Sequence, residues 1–172
     1  LYFTGNYVEC HLYLNRGDFK FQNVTREAGV GGDGRCCRGV SVIDINNDGW
    51  QDIYVCATLN NNPSKRKNLL YVNRGLNKHG IPEFNEKAGE YGLADSSHST
   101  QAAFFDYDND GDIDVYLVVN VILEDVSPFL FRTLSKDGSF PSTGKLFRND
   151  WDESLNHPVF SDVSKQAGIQ TE

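Results

Sequence analysis

Two aspartate-rich loops set 62 residues apart, apolar alternation on both sides of each loop, and two further phrases that recur in fixed order predict an all-β chain. The architecture they predict is a partial β-propeller of about two and two-thirds four-stranded blades, with hairpin loops built to hold a cation.

The first two observations come from one frame that occurs twice. "GVSVIDINNDGWQDIYVCAT" (39–58) and "AAFFDYDNDGDIDVYLVVN" (102–120) both place D-x-[DN]-x-D-G-x-x-D between alternating apolar runs. The second phrase, "LLYVNRG" (69–75) or "KLFRND" (145–150), follows each frame. A third, "EFNEKAGEYGL" or "VFSDVSKQAGI", closes each unit. The start of the chain fits the same grammar, because "LYFTGN" matches "IYVCAT", while "LYLNRG" and "KFQNVTREAGV" supply the later phrases. Leu1 thus aligns just after an aspartate loop, and a further loop is expected upstream.

Each unit reads as four short strands, which in the middle unit fall at 40–45, 52–58, 68–73 and 82–85. Asn15-Arg16-Gly17 and Asn73-Arg74-Gly75 read as hairpin turns. Glu27-Ala28-Gly29 and Gln166-Ala167-Gly168 read as short helical turns with a glycine C-cap. The units divide the chain into the end of a first blade at 1–38, a second blade at 39–101, and a third at 102–172 with a long insertion at 120–144. A β-sandwich would not explain the repeated phrases.

Carboxylates this close repel by roughly 4 kcal/mol per pair at a protein surface, so the loops need a counter-charge. The motif places oxygen donors at alternate residues of one tight loop: Asp44, Asn46, Asp48 and Asp52, then Asp106, Asp108, Asp110 and Asp114. Gly49 and Gly111 permit the sharp bend at the sixth position. Hard oxygen donors without Cys or His describe Ca²⁺ better than Mg²⁺ or Zn²⁺. An EF-hand opens the same way but needs a Glu at position twelve, where this chain has Val55 and Leu117. It also needs flanking helices, whereas these flanks alternate with period two. The expectation is two Ca²⁺ sites, each in a hairpin between strands.

These loops, together with the "LYxNxG…F…AG[VIL]" phrases, resemble the FG-GAP/VCBS repeats of integrin-α-like propellers, including the family of the secreted cartilage acidic protein and its bacterial ASPIC/UnbV relatives. The resemblance implies a seven-bladed ring with calcium in the hairpin joining the first two strands of a blade. It also implies that Trp50 and Asp112 each add a backbone carbonyl to the ligand sets above. The other blades of such a ring, and a C-terminal ASPIC/UnbV domain, are not in these 172 residues.

Composition narrows the function classes. A net charge of −8 and a pI near 4.9 disfavour nucleic acid as a partner. No apolar run reaches the ~20 residues that span a bilayer. The chain contains no Met, so it reads as a trimmed piece, and a missing signal peptide says nothing of compartment. Four cysteines allow three pairings, and adjacent Cys36 and Cys37 cannot both easily reach distant partners; buried free thiols and one disulfide both stay open. Arg16-Gly17-Asp18 occupies a hairpin turn, which explains it without adhesion. Asn23-Val24-Thr25 is a glycosylation sequon at a strand end. His11, His79, His98 and His157 fall in different phrases, and no catalytic constellation emerges.

The insertion carries Val121, Ile122, Leu123, Phe129, Leu130, Phe131, Leu134 and Phe140, too apolar a set for a disordered loop. Packing over its own blade and contact with a partner both stay open for it; with the loops around Asn60 and His98, it is expected on the face opposite the aspartate hairpins, which makes that face the candidate binding surface. The functional expectation is a non-catalytic, calcium-binding propeller region of a secreted or cell-surface protein, packed against further blades and serving protein–protein interaction or adhesion. The alternative is a carbohydrate-binding or polysaccharide-cleaving propeller with a glycan partner.

Overall fold

A computed structural model describes residues 1–121 and 134–170, and among them the chain is all-β. Three antiparallel meanders follow one another. The first joins β1 (Tyr2–Phe3), β2 (His11–Asn15) and β3 (Phe21–Asn23), and ends in the one-turn helix α1 (Thr25–Ala28). The second runs β4 (Cys36–Ile43), β5 (Asp52–Thr58), β6 (Leu69–Leu76), β7 (Pro82–Glu86). The third repeats it as β8 (Ser99–Phe105), β9 (Asp114–Val119), β10 (Lys145–Asp152), β11 (His157–Asp162). The aspartate hairpin closes in the same register both times, with Ile43 opposite Asp52 and Phe105 opposite Asp114.

The sheets stack face to face, and strand alternation decides which residues meet. In β5 and β6, Ile53, Val55, Leu69 and Tyr71 pack with Leu12, Val24 and Val30 of the first unit. Their neighbours Tyr54, Cys56, Leu70 and Val72 pack with Val115, Leu117 and Phe160 of the third. All seven residues of β5 are therefore buried, which explains why "DIYVCAT" carries no exposed polar face. The outward faces of the first and third sheets expose Phe3, Phe21 and Val118. Asn68 is fully satisfied between the sheets: it accepts from Ala57 N–H (2.9 Å) and donates to Tyr54 Oη (2.8 Å) and Ser99 Oγ (3.0 Å).

The closing phrases seal these interfaces. Val30 and Leu93 are fully buried, and Phe160 N–H donates to Tyr91 O at 2.8 Å, tying the third unit to the second. Gly29 ends α1 in the left-handed conformation (φ 73°), as its C-cap position predicts. The 166–168 turn repeats this geometry, with Ala167 N–H donating to Val163 O at 2.9 Å.

One turn differs from expectation. Asn15-Arg16-Gly17 does enter the β2–β3 turn, with Arg16 N–H donating to Lys20 O, but Asn73-Arg74-Gly75 lies inside β6. Asn73 Oδ1 accepts from Gly75 N–H (2.9 Å), and Gly75 at φ 90° makes a bulge before Leu76. The turn itself is at 77–80, where Gly80 N–H donates to Asn77 O. The bulk of the insertion, with Ile122, Leu123, Phe129, Leu130 and Phe131, lies outside the described residues.

The first strands of the two complete units run side by side, with Ser41 Oγ donating to Ala102 O at 2.8 Å. Beside this contact, a Cβ on Gly39 would stand 2.5 Å from Thr100 O and 2.8 Å from Gln101 Cα. Gly39→Ala is expected to force the strands apart and cost about 1–3 kcal/mol, the range of overpacking in a tight contact. Urea denaturation of the variant against wild type measures it.

Candidate metal centre

Each aspartate loop is a nine-residue hairpin whose backbone is folded by its own acids. In the first, Asp44 accepts from Asp48 N–H (3.0 Å) and Gly49 N–H (2.8 Å), and Asp48 accepts from Trp50 N–H (2.8 Å). In the second, Asp106 accepts from Asn109 N–H (2.7 Å) and Gly111 N–H (3.2 Å), and Asp110 accepts from Asp112 N–H (3.1 Å). The chain turns back through left-handed residues at the fourth and sixth positions, Asn47 (φ 55°) and Gly49 (φ 87°), then Asn109 (φ 62°) and Gly111 (φ 98°). Asn tolerates that conformation better than other residues with a Cβ, which accounts for its presence at a position the motif leaves unspecified.

The ninth-position aspartate does different work. Asp52 is fully buried; its Oδ2 accepts from Ile45 N–H (2.9 Å) and its Oδ1 from Asn73 N–H (2.7 Å). Asp114 repeats this with Tyr107 N–H (2.8 Å) and Asn149 N–H (2.9 Å). One carboxylate thus ties the loop to the third strand of its blade. The recurring Asn returns the tie, as Asn73 Nδ2 donates to Gln51 O and Asn149 Nδ2 to Ile113 O. Sequence reading assigned Asp52 and Asp114 to a cation alone and missed this bracing. The signal was available, because each repeat keeps Asn in its "VNRG" or "RND" phrase.

Of the residues singled out from sequence, the structure gathers Asp106, Asp108 and Asp114 most closely. One carboxylate oxygen from each lies within 4.8 Å of the others, a cluster that could hold a metal ion. Asp44, Asn46 and Asp48 sit on the first loop, where Asn46 Nδ2 donates to Asp48 Oδ2 at 2.9 Å. Asp112 has an oxygen buried without a partner, and burial, with the neighbouring carboxylates, pushes its carboxyl up to about 6. The loops share one edge of the stack and border a common cleft of ≈ 400 Å³ lined by Asp44, Asn46, Gly111, Asp112 and Trp151.

The opposite edge collects the other loops. Leu59 N–H donates to His98 Nδ1 (3.3 Å), Arg66 Nη1 donates to Asn60 O (2.8 Å), and Lys145 pairs with Asp95 at 2.5 Å. The described ends of the insertion join them, with Asn120 N–H donating to His98 O at 2.9 Å. The 59–68, 95–98 and 134–144 loops therefore form one surface.

Stacked four-stranded meanders, with an acidic hairpin at the same place in each complete unit, define a segment of a repeat-built β-propeller. Residues 1–55 match the family model described as an FG-GAP-like repeat, in agreement with the resemblance carried by the repeated phrases. A search of curated proteins found no match to the chain.

In metal-free buffer, Asp114→Ala is expected to leave the Tyr107 and Asn149 N–H groups unpaired and to cost about 1–3 kcal/mol for each. Asp110→Ala, at an exposed position on the same loop, gives up one exposed hydrogen bond from Asp112 N–H but relieves carboxylate repulsion, and should change stability much less. Chemical denaturation of both variants in EDTA makes the comparison.

Proposed function

We propose that this chain is part of a calcium-stabilised, non-catalytic propeller that acts outside the cell or at its surface as a protein–protein interaction module. The observation that carries this reading is the convergence of the Asp106, Asp108 and Asp114 carboxylates in a loop already folded by its own backbone. The oxygen-only donor set fits Ca²⁺, with Asp44, Asn46, Asp48 and Asp52 holding one ion and Asp106, Asp108, Asp110 and Asp114 the other. The carbonyls of Trp50 and Asp112 complete the sets that the resemblance implies. A bound ion would neutralise the loops; the chain's own residues do the rest by fixing the blades and presenting the opposite loop surface to a protein partner.

An extracellular setting suits such sites. Extracellular calcium modules bind with Kd of about 10⁻⁴–10⁻³ M, so millimolar calcium fills such sites and cytosolic levels do not. FG-GAP-like repeats also suit a role in contact between proteins. No helix among the described residues is long and apolar enough to cross a membrane.

The main test is thermal melting in millimolar calcium and in EDTA. Calcium is expected to raise Tm clearly, and equal melting temperatures would refute the calcium reading. Burial pushes the Asp52 carboxyl up to about 6, above the ~3.9 of an unfolded aspartate. Without metal, this group makes the folded state bind protons more tightly, so its stabilising contribution is lost as pH rises through that window. Calcium reverses the preference by favouring the carboxylate. The difference in Tm between calcium and EDTA should therefore be largest above pH 6 and shrink as pH falls to 5.

The two loops belong to different sheets and share no ligands, so Asp108→Ala is expected to abolish one calcium-binding event in calorimetry and spare the other. Simultaneous loss of both would point to a single shared site. For the partner, a stoichiometric protein captured by the wild type and lost when the 59–68 loop is replaced by a short Gly-Ser linker is the expected result. Binding confined to a glycan array would overturn the protein-contact reading.

A further inference from the structure

The first and second sheets meet over a pair of thiols. Cys10, just before β2, and Cys37, in β4, are both buried, and all four cysteines are free. The chain around them is fixed from three directions. Gly5 N–H donates to Cys10 Sγ (3.2 Å), Gly5 O accepts from Cys37 N–H (2.9 Å), and Cys10 N–H donates to Gly31 O (2.9 Å). Gly32 lies against both sulfurs: a Cβ there would stand 2.6 Å from Cys10 Sγ and 3.2 Å from Cys37 Sγ. The Cys37 thiol donates to Gly32 O at 3.9 Å.

The other cysteines are turned away. Cys36 is next to Cys37 on the strand and so faces the opposite side, where its Sγ donates to Asn6 Oδ1 at 2.6 Å. Cys56 belongs to the core between the second and third sheets. Selective chemistry is thus built into the fold.

From this geometry we infer that Cys10 and Cys37 are an oxidation site that closes to a disulfide, stapling the first sheet to the second. The oxidant is an external disulfide, either a small one such as oxidised glutathione or that of a protein oxidant. Cys10 thiolate attacks one of its sulfurs, forming a mixed disulfide and releasing one thiolate. Cys37 then gives up its proton and attacks the Cys10 sulfur, releasing the second. Two protein thiols lose two electrons, and the external disulfide becomes two thiols.

Cys10 suits the attacking role. The Gly5 N–H aimed at its sulfur favours the Cys10 thiolate, whereas the Cys37 thiol is held protonated as a donor to Gly32 O. Rotating the sulfurs to bonding distance uses space that Gly32, lacking a Cβ, leaves free. A groove lined by Glu9, Gly31, Arg35 and Tyr71 runs beside the pair, and exchange proceeds through it or as the sheets dock.

The test incubates the protein across a range of glutathione redox ratios, traps free thiols with N-ethylmaleimide in denaturant, and maps linked peptides by mass. The expected product joins the peptide holding Cys10 to the one holding Cys36 and Cys37. It should persist in Cys36→Ser and vanish in Cys37→Ser or after reduction. The oxidised wild type should also melt above the reduced form. Should Cys37→Ser not fold, Cys36→Ser alone decides, because any link to that peptide must then use Cys37. Full alkylation of Cys10 and Cys37 at every ratio, or a Cys10 link that survives Cys37→Ser, would overturn the inference.

Discussion

Burying a carboxylate costs free energy unless donors meet both of its oxygens, and each complete unit buries one on those terms. Asp52 and Asp114 accept one backbone N–H from their own loop and one from the third strand of the sheet. These N–H groups would otherwise be orphaned where the chain leaves regular pairing, so the carboxylate and the donors satisfy each other. With the hairpin held at that point, the exposed Asp106 and Asp108 converge on the buried Asp114. Each carboxylate oxygen keeps a second lone pair after accepting one hydrogen bond, so bracing and ligation are compatible. A cation held by the loop would therefore act on the same group that braces the fold.

Everything beyond the hairpins depends on covering two faces of each sheet. The second sheet has neighbours on both sides, and its central strand is buried throughout. Among the described residues, the first and third sheets have one such neighbour each, and their outward faces expose Phe3, Phe21 and Val118. In a repeat array, stability is a sum of unit and interface terms, so these faces are places where further blades or a partner add to it. The closing phrases set the spacing of the interfaces. Val30 and Leu93 fill the seam, while Gly39 and Gly92 let backbones approach where a side chain could not fit.

Much of this was legible in the sequence because it rests on period and repetition. Alternation located the four strands of the middle unit to within a few residues, except at the start of β4, which begins at Cys36, and at the end of β6. There, Asn-Arg-Gly supports a hairpin turn in one unit and a bulge in another, and tertiary pairing decides between them. The aspartate spacing identified which acids share a loop. It could not show that the ninth has its oxygens occupied by backbone N–H groups, since those donors lie as far as 35 residues away. Contacts between sheets are opaque for the same reason. Nothing in the spacing of Cys10 and Cys37 says that both sulfurs lie against Gly32.

The two loops are not equivalent, and the difference lies at the third and seventh positions. Asn46 stands where the second loop has Asp108, and Trp50 where it has Asp112. An amide can donate, and Asn46 does so to Asp48, replacing a repulsion with a hydrogen bond. A carboxylate at Asp108 can only accept, and it faces Asp106 and Asp114 within the same small volume. The first loop therefore carries three acids partly relieved by its own amide, whereas the second carries five with Asp112 already displaced toward protonation. Because ligand charge tunes cation affinity, the second loop stands to gain more from an ion than the first. Were a cation to bind, the unrelieved repulsion among Asp106, Asp108 and Asp114 would favour filling the second loop first.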